Sequence, residues 1–402
     1  MTNIVFIDRP CGSGKTMELL DTINGSTGQA YLVVVPTRLE IARYLEALGP
    51  EVVAPEPAAT KGDDLLHLLN QGKTIVTTHA LFDMMNDEHY YFLKQYVVVI
   101  DEAVEVVKPV PGGPILGFHE VYVDNGYARI EDDGLVTVLP KWHAEMDLAS
   151  DVLSRELYNL ARKKRLWKAV DTGFWSNQLP LEAFTAPMKV LVMTYLHEYS
   201  YLALFLKHKG IPFQAKRNPD LEDFFRGYCR DHIEVTRGAS AYLEECNWSA
   251  TASKKITPAK ASKIKAALKD VRRRDIGSAP ASEVIWSTLK IAKEVIGGKR
   301  GKTTEENFVS RSTKGTNQYD QASVGLYLNS IHMHPTIAGF YHASERFKDG
   351  YALSEMLQWI FRMRCRRYMT QGNAGLEAIK CKVVVPCKRM RDLWERFING
   401  DL

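Results

Sequence analysis

A glycine-rich loop near the start of the chain has the residue types and spacing of a phosphate-binding loop. It lies between an apolar run and a helix-like segment and reads Arg9-Pro10-Cys11-Gly12-Ser13-Gly14-Lys15-Thr16, with Arg9 where the fuller pattern has Gly or Ala. Glycines allow backbone N–H groups to curl toward a phosphate, and the following helix adds the positive end of its dipole. Lys15 would reach the β- and γ-phosphates, and the Thr16 hydroxyl would bind Mg²⁺. We therefore predict that residues 12–16 form a nucleotide site.

Two adjacent carboxylates follow another apolar run. Residues 97–100 read VVVI and are followed directly by Asp101 and Glu102. A phosphate-loop ATPase needs one carboxylate for Mg²⁺ and another to orient the attacking water. Because the carboxyl ends of parallel strands meet at one edge of a sheet, we expect both carboxylates to lie beside the loop. Asp101 would then bind Mg²⁺ and the nucleotide, and Glu102 would act as the catalytic base. The alternative is a plain helix start, where acidic residues are favoured.

Short apolar runs alternate with amphipathic segments through the first hundred residues. The runs cover residues 4–7, 31–35, 74–77 and 96–100 and are rich in Val and Ile, which is typical of strands buried on both faces of a parallel sheet. From about residue 108 the pattern changes to strand-like segments broken at Asn125-Gly126 and Asp133-Gly134, followed by a helical stretch near 144–170. We predict a β-rich insert here, and a return to a buried strand at 188–196.

The second half of the chain restarts the alternation of strands and helices. Further strand candidates lie at 283–289, 306–312, 323–330 and 379–387. A chain of 402 residues is long enough for roughly two to three domains. We predict an α/β protein with two parallel-sheet domains. The first covers 1–196 with an insert at about 108–180, and the second covers 197–402 with a basic insert at about 250–282.

Positive charge is concentrated in one segment. The chain has a net charge of +4, but residues 254–302 hold fourteen basic and four acidic residues, a net +10, which leaves −6 for the remainder. A local positive field is expected of a surface that binds polyanions. Arg272, Arg273 and Arg274 are therefore candidate nucleic-acid contacts. The alternative is a solvated helix face around the apolar stripe Ala261, Ile264 and Leu268.

The order of these motifs resembles superfamily 2 helicases of the DEAD/DEAH-like kind. Residues 12–16 are similar to motif I and Asp101-Glu102-Ala103-Val104 to motif II. Pro36-Thr37-Arg38 resembles motif Ia, Thr77-Thr78-His79 resembles motif Ib, and Thr194 stands where the family has motif III. Residues 312–317 resemble motif V. The resemblance implies nucleic-acid contacts at Pro36, Thr37, Arg38, Thr77, Thr78, His79, Lys314 and Thr316. The compact size is similar to phage- or virus-encoded members.

Residues 358–366 (QWIFRMRCR) resemble motif VI, whose arginines face the γ-phosphate across the cleft between the domains. Arg362 fits the first arginine, but Cys365 stands where the second belongs, and Arg366 follows it. On one helix Gln358, Arg362 and Arg366 would share a face. The resemblance thus implies Gln358 as a nucleotide contact and both arginines as catalytic residues. The alternative is a basic surface helix.

The resemblance further implies two RecA-like domains that bind ATP and Mg²⁺ between them and drive movement along, or unwinding of, nucleic acid, with DNA favoured over RNA. A DNA-packaging-type translocating ATPase and a phosphate-loop small-molecule kinase remain alternatives, because both would share the loop. The chain has no apolar run of about 18 residues and no signal-like start, so we expect no membrane partner and a cytoplasmic location, in the host if phage-encoded. Six scattered cysteines predict reduced thiols rather than a zinc site.

Overall fold

The computed structural model describes residues 3–56, 60–110, 115–147, 153–169, 173–298, 303–311, 313, 318–369 and 380–402. The strands are β1 (Ile4–Asp8), β2 (Ala30–Val35), β3 (Ile75–Thr78), β4 (Tyr96–Asp101), β5 (Val107–Pro109), β6 (Ala128–Ile130), β7 (Val136–Val138), β8 (Leu166–Lys168), β9 (Trp175–Gln178), β10 (Lys189–Thr194), β11 (Gln214–Arg217), β12 (Ile233–Thr236), β13 (Val284–Thr288), β14 (Val324–Leu328) and β15 (Cys381–Val384). The helices are α1 (Lys15–Asn24), α2 (Arg38–Leu48), α3 (Lys61–Asn70), α4 (His79–Met84), α5 (Asp87–Phe92), α6 (Pro140–Asp147), α7 (Arg155–Arg162), α8 (Glu182–Thr185), α9 (Tyr201–His208), α10 (Pro219–His232), α11 (Ala241–Glu245), α12 (Ala250–Ser253), α13 (Pro258–Val271), α14 (Lys290–Ile296), α15 (Pro335–Phe340), α16 (Glu345–Ile360) and α17 (Lys388–Asn399).

The first domain is built on a six-stranded sheet in the order β11-β1-β10-β4-β2-β3. Every pairing in it is parallel. Successive residues such as Leu32, Val33 and Val34 in β2 are all fully buried, because helices cover both faces of the sheet. The predicted parallel sheet with buried Val- and Ile-rich strands is confirmed.

A second parallel sheet has the order β12-β15-β14-β13. The prediction of two parallel-sheet domains is thereby confirmed, but the strand predicted at 306–312 is wrong. There the chain makes only an isolated bridge between Phe308 and Trp286, because it follows the sheet edge for a single pair of backbone hydrogen bonds. The domain boundary near residue 197 stays a prediction, and the first sheet takes its edge strand β11 from beyond that residue.

The β-rich segment forms a small antiparallel sheet, β5-β9-β8, beside the hairpin β6-β7. The predicted strand before Asn125 is wrong, since residues His119–Val123 form a helical turn. This turn directs Tyr122 into an aromatic cluster, where its ring centroid lies 4.6 Å from that of Phe118 and 4.7 Å from that of Trp142. Burial of these rings outweighs the strand-like alternation of the segment.

Buried Arg165 anchors the insert to the first domain. Its guanidinium donates to Asn177 Oδ1 at 2.8 Å within the insert and to Asp83 Oδ1 at 2.7 Å on α4. In the second domain, the basic segment folds as α12, α13 and a further helical turn over Arg272–Ile276. The predicted apolar stripe of α13 is buried.

Helix α16 packs directly on the turn His197–Tyr199, which follows β10 of the first sheet. A Cβ atom added to Gly350 would lie 2.2 Å from the ring of Tyr199, so only glycine fits at this point of the helix. Nearby, the ring centroids of Phe225 and Phe361 lie 4.7 Å apart. The junction between α16 and this turn is therefore close-packed.

Gly350→Ala should destabilise the protein by about 1–3 kcal/mol, because the added methyl group overpacks the junction. This cost exceeds the gain of about 1 kcal/mol that alanine brings to a helix interior. Gly339→Ala is the matched control, since α15 leaves open space around that position. Urea unfolding measures both variants, and a Gly350→Ala protein as stable as wild type would contradict the packing described here.

Candidate functional site

The loop after β1 adopts the conformation that its glycines allow. Gly12 and Gly14 have φ angles of 79° and 80°, a region that disfavours other residues, and α1 begins directly afterwards at Lys15. The Lys15 ammonium donates to the carbonyl oxygens of Arg9 at 2.7 Å and Pro10 at 2.9 Å. Burial lowers the pKa of Lys15 from its ordinary value, although nearby acidic groups, including Asp101, oppose this.

Ser13 has a buried hydroxyl that lacks a hydrogen-bond partner in the described part of the chain. A buried hydroxyl left without a partner costs about 1–3 kcal/mol, so a polar ligand at the loop would recover that cost. The loop therefore offers donors to an anion: the hydroxyl, the Lys15 ammonium and the N-terminus of α1.

Asp101 ends β4, and Glu102 follows with a left-handed φ of 60°. The Glu102 N–H donates to Met193 O of β10 at 3.0 Å, which holds this strained residue between β4 and β10. His79 Nε2 lies 2.9 Å from Asp101 O. Burial raises the pKa of Asp101, and the charge of Glu102 raises it further.

Helix α2 contributes residues that the sequence motifs do not include. The Tyr44 hydroxyl donates to Asp101 Oδ2 at 2.8 Å, and its side chain is fully buried. One helical turn earlier, buried Glu40 pairs with Arg43 at 2.5 Å. Burial raises the pKa of Glu40, Arg43 lowers it, and the charge of Asp101 adds to the rise. In the sequence, the i, i+4 spacing of Glu40 and Tyr44 on the apolar face of α2 is the pattern that could have identified them.

Asp8, at the end of β1, joins three chain segments beside the loop. Its Oδ2 lies 2.7 Å from His197 Nδ1 and 3.1 Å from Arg217 Nε of β11. Asp8 is also close enough to Lys15 for its negative charge to act on the pKa of that ammonium. This network connects the start of the phosphate loop to β10 and β11.

The predicted motif VI arginines come from the second domain, but not from a single helix. Helix α16 contains Gln358 and ends at Ile360, Arg362 lies in the following turn, and Arg366 lies in a 3₁₀ turn over Arg364–Met369. The prediction that the three side chains share a helix face is therefore wrong. Buried Arg362 lies just after the end of the helix and donates to Ser310 O at 3.3 Å.

Both arginines nevertheless approach the phosphate loop. Burial raises the pKa of the Cys11 thiol, Lys15 lowers it, and the charges of Arg366 and Arg362 are near enough to lower it as well. Burial lowers the pKa of Arg362, while the charge of Glu102 opposes this. Cys11 and Glu102 of the first domain and the two arginines of the second thus surround one region.

A cavity of about 690 Å³ opens near this region. One wall holds Pro36, Thr37 and His79 of the predicted motifs Ia and Ib, and Thr313 and the neighbouring residues 318–319 form part of its lining. The structure therefore brings these predicted nucleic-acid segments together. Lys314 and Thr316 lie outside the described residues.

Other predicted nucleic-acid contacts lie elsewhere. Arg38, Thr77 and Thr78 line a separate cavity of about 530 Å³, and Thr77 is fully buried. The Thr78 side chain accepts from Leu81 N and begins α4.

The three basic residues after α13 differ in their surroundings. Half-buried Arg272 donates to Thr303 Oγ1, and exposed Arg273 pairs with Asp270 at 3.2 Å. Arg274 is exposed. In the described ranges, none of the three lines the 690 Å³ cavity.

The described residues contain neither a ready-made metal cluster nor a membrane-spanning helix. No group of three or more His, Cys, Asp or Glu side chains there is arranged to hold a metal ion. Among the same residues, no helix is both long and apolar enough to span a membrane.

The chain, with its two parallel sheets, shares its fold with a solved XPD structure, so the predicted resemblance is confirmed for the fold. The structure "XPD_APO" is similar over 99% of this chain and 96% of that chain, with a TM-score of 0.50 and 13% identity. The structure "XPD_Helicase" is similar over 99% of this chain and 94% of that chain, with a TM-score of 0.46 and 13% identity.

Sequence comparison gives a relative of full length. Residues 228–398 match the family described as the YonV C-terminal Rossmann-like domain. The chain is also 24% identical over 435 aligned residues to the "SPbeta prophage-derived uncharacterized protein YonV" of Bacillus subtilis (strain 168), with 98% of each chain covered. Similarity to a prophage-derived protein agrees with the predicted likeness to phage-encoded members.

Asp101→Asn should stabilise the free protein by about 1 kcal/mol near neutral pH, because the folded state raises the pKa of this carboxyl and so disfavours its charge. The gain should disappear as the pH falls toward the ordinary Asp value of about 3.9, where wild type also takes up the proton. Urea unfolding at several pH values measures this.

Asp8→Asn is the matched control for this prediction. It should lower stability by about 1–3 kcal/mol, because His197 and Arg217 lose a charged partner. A loss of stability in Asp101→Asn at neutral pH would contradict the electrostatic account.

Proposed function

We propose that the chain is a nucleic-acid-dependent ATPase of the helicase or translocase type, with ATP and Mg²⁺ bound between its domains and DNA favoured over RNA as its track. One observation carries the proposal. Arg362 and Arg366, which follow α16, lie close enough for their charges to act on Cys11 of the phosphate loop, and the charge of Glu102 acts on Arg362. The fold supports it, because the chain is similar over 99% of its length to the solved structure "XPD_APO".

The residues at the site fit a magnesium nucleotide. The positive φ angles of Gly12 and Gly14 and the unpartnered Ser13 hydroxyl suit a phosphate group. The hydroxyl of Thr16 and the carboxylate of Asp101 are hard oxygen ligands, which Mg²⁺ prefers. When bound, Mg²⁺ neutralises phosphate charge and helps to orient the scissile bond.

Each charged side chain then has a distinct task. When a nucleotide binds, the Lys15 ammonium gives up its hydrogen bonds to the carbonyl oxygens of Arg9 and Pro10 and donates to phosphate oxygens instead. Glu102 orients the attacking water and accepts its proton, and its strained backbone keeps the carboxylate at the carboxyl edge of the sheet. Arg362 and Arg366 stabilise the charge that develops on the transferred phosphoryl group. Because these groups are largely buried, their electrostatic effect is stronger than it would be in water.

The 690 Å³ cavity supplies a path for nucleic acid beside this site. The Pro36-Thr37 segment and His79 would contact the backbone of a strand, and Thr313, Gln318 and Tyr319 line the same cavity. A relative movement of the two domains would alter the cavity and the nucleotide cleft together, which couples hydrolysis to a step along the strand. The basic segment adds a long-range attraction, so affinity should fall steeply with salt.

Lys15→Ala should abolish ATP hydrolysis, because phosphate binding loses its cation. Glu102→Gln should lower the rate about 100-fold or more, because it removes the general base but keeps the shape. ATP hydrolysis is measured with no nucleic acid, single-stranded DNA, duplex DNA and RNA. Glu88→Gln is the matched control, since it makes the same change at an exposed residue of α5.

The outcomes of this experiment separate the parts of the proposal. Stimulation of the wild type by one nucleic acid, absent in Lys15→Ala, would support a nucleic-acid-driven ATPase and identify its track. Full turnover by Glu102→Gln would contradict the catalytic assignment. Hydrolysis that no nucleic acid changes would contradict the helicase proposal and favour the kinase alternative.

Leu39→Glu should raise the nucleic-acid concentration needed for half-maximal stimulation about tenfold, because it adds a negative charge to the lining of the cavity. Leu39 is 76% exposed, so the change should leave the fold intact. Leu116→Glu is the control, because Leu116 is 90% exposed in the insert and lies outside that lining. Equal responses of the two variants would argue against the cavity as the nucleic-acid path.

A further inference from the structure

Tyr44 touches both side chains that we propose as Mg²⁺ ligands. Its fully buried hydroxyl donates to Asp101 Oδ2 at 2.8 Å, and the side chain of Thr16 lies beside the same hydroxyl. Neither the phosphate loop nor the acidic pair in the sequence points to this residue, which lies on α2.

The direction of proton donation in these two contacts follows from the chemistry of the groups. An ionised carboxylate can only accept, so the single hydroxyl proton of Tyr44 goes to Asp101. The contact between Thr16 and Tyr44 must then use the proton of Thr16. When Thr16 donates to Tyr44 and Tyr44 donates to Asp101, the lone pairs of the Thr16 oxygen and the second carboxylate oxygen of Asp101 remain available to a cation.

Asp101 is held on its main chain as well. His79 Nε2 lies 2.9 Å from Asp101 O, so the side chain and the backbone of this residue have partners on different elements. Both elements also contribute to the 690 Å³ cavity: α4 begins at His79, and α2 begins directly after Pro36 and Thr37. Tyr44 therefore connects the cavity wall to Asp101 through one helix.

We propose that Tyr44 is a positioning residue that orients the Asp101 carboxylate and the Thr16 hydroxyl for Mg²⁺. The inference rests on the proposed function, because it requires a metal–nucleotide site. Partners that orient metal ligands commonly change metal affinity about 10- to 100-fold when they are removed. A purely structural tyrosine would affect only the stability of the fold.

The test is direct metal binding, independent of turnover. Mn²⁺ serves as the probe because it takes the same oxygen ligands, and electron paramagnetic resonance measures its dissociation constant for the full chain in the presence of ADP. Tyr44→Phe should weaken Mn²⁺ binding about tenfold or more. Tyr96→Phe is the matched control: Tyr96 is fully buried in the same domain and donates to Lys73 O at 2.9 Å, away from the site.

A double-mutant cycle with Asp101→Asn tests whether Tyr44 acts through Asp101. If it does, Tyr44→Phe should weaken Mn²⁺ binding far less in the Asp101→Asn background than in wild type. Equal losses in both backgrounds would overturn the positioning role, as would a Tyr44→Phe protein that binds Mn²⁺ like wild type. A wild-type chain that binds no Mn²⁺ with ADP would instead overturn the proposed function, and this inference with it.

Discussion

The parallel pairing of β1 with β10 and of β10 with β4 is the constraint on which the candidate site depends. It directs the carboxyl ends of all three strands to one edge, so that the phosphate loop after β1 and the acidic pair after β4 are one strand apart. Hydrogen bonds across this edge, such as that from Glu102 N to Met193 O, fix the side chains that follow. The segment after α16 then only has to bring Arg362 and Arg366 near this edge.

This arrangement buries several charges in a small volume. Lys15, Asp101 and Arg362 each have a pKa displaced toward the neutral form by burial, and each has an opposite charge close by that limits the displacement. In a site of this kind, buried groups of opposite charge stabilise one another. The free protein still retains unfavourable interactions, which a charged ligand can relieve. Packing of the hydrophobic clusters elsewhere must offset that cost.

The sequence predicted most of the elements that carry the site. The loop at 12–16, the strand before Asp101 and both parallel sheets follow from local patterns, because buried parallel strands and glycine-rich turns each have a short-range signal. The end of α16 at Ile360 was missed, since the helical spacing of Gln358, Arg362 and Arg366 continues beyond it and only the tertiary bond of Arg362 to Ser310 O reveals the break. The helical turn at 119–123 was also missed, because an aromatic core decides its conformation.

Contacts between residues that are far apart in the sequence are the other feature of the site that local patterns could not predict. Tyr44 lies 57 positions from Asp101, and Asp8 lies 189 positions from His197. A single polar residue on a helix predicts burial or exposure but not which strand end it meets. Such contacts depend on how α2 lies against the sheet, and that depends on the whole of the hydrophobic core.

The aromatic core of the insert has a consequence for how this chain can diverge. Its cluster of Phe118, Tyr122, Trp142 and their neighbours is separate from the clusters that pack the two parallel sheets. Changes in clusters that share no contacts affect the free energy of unfolding almost independently. Substitutions can therefore accumulate in the insert without disturbing the two sheets, provided that Arg165 keeps its hydrogen bond to Asp83. The strand ends that carry the charged site remain under a different set of constraints.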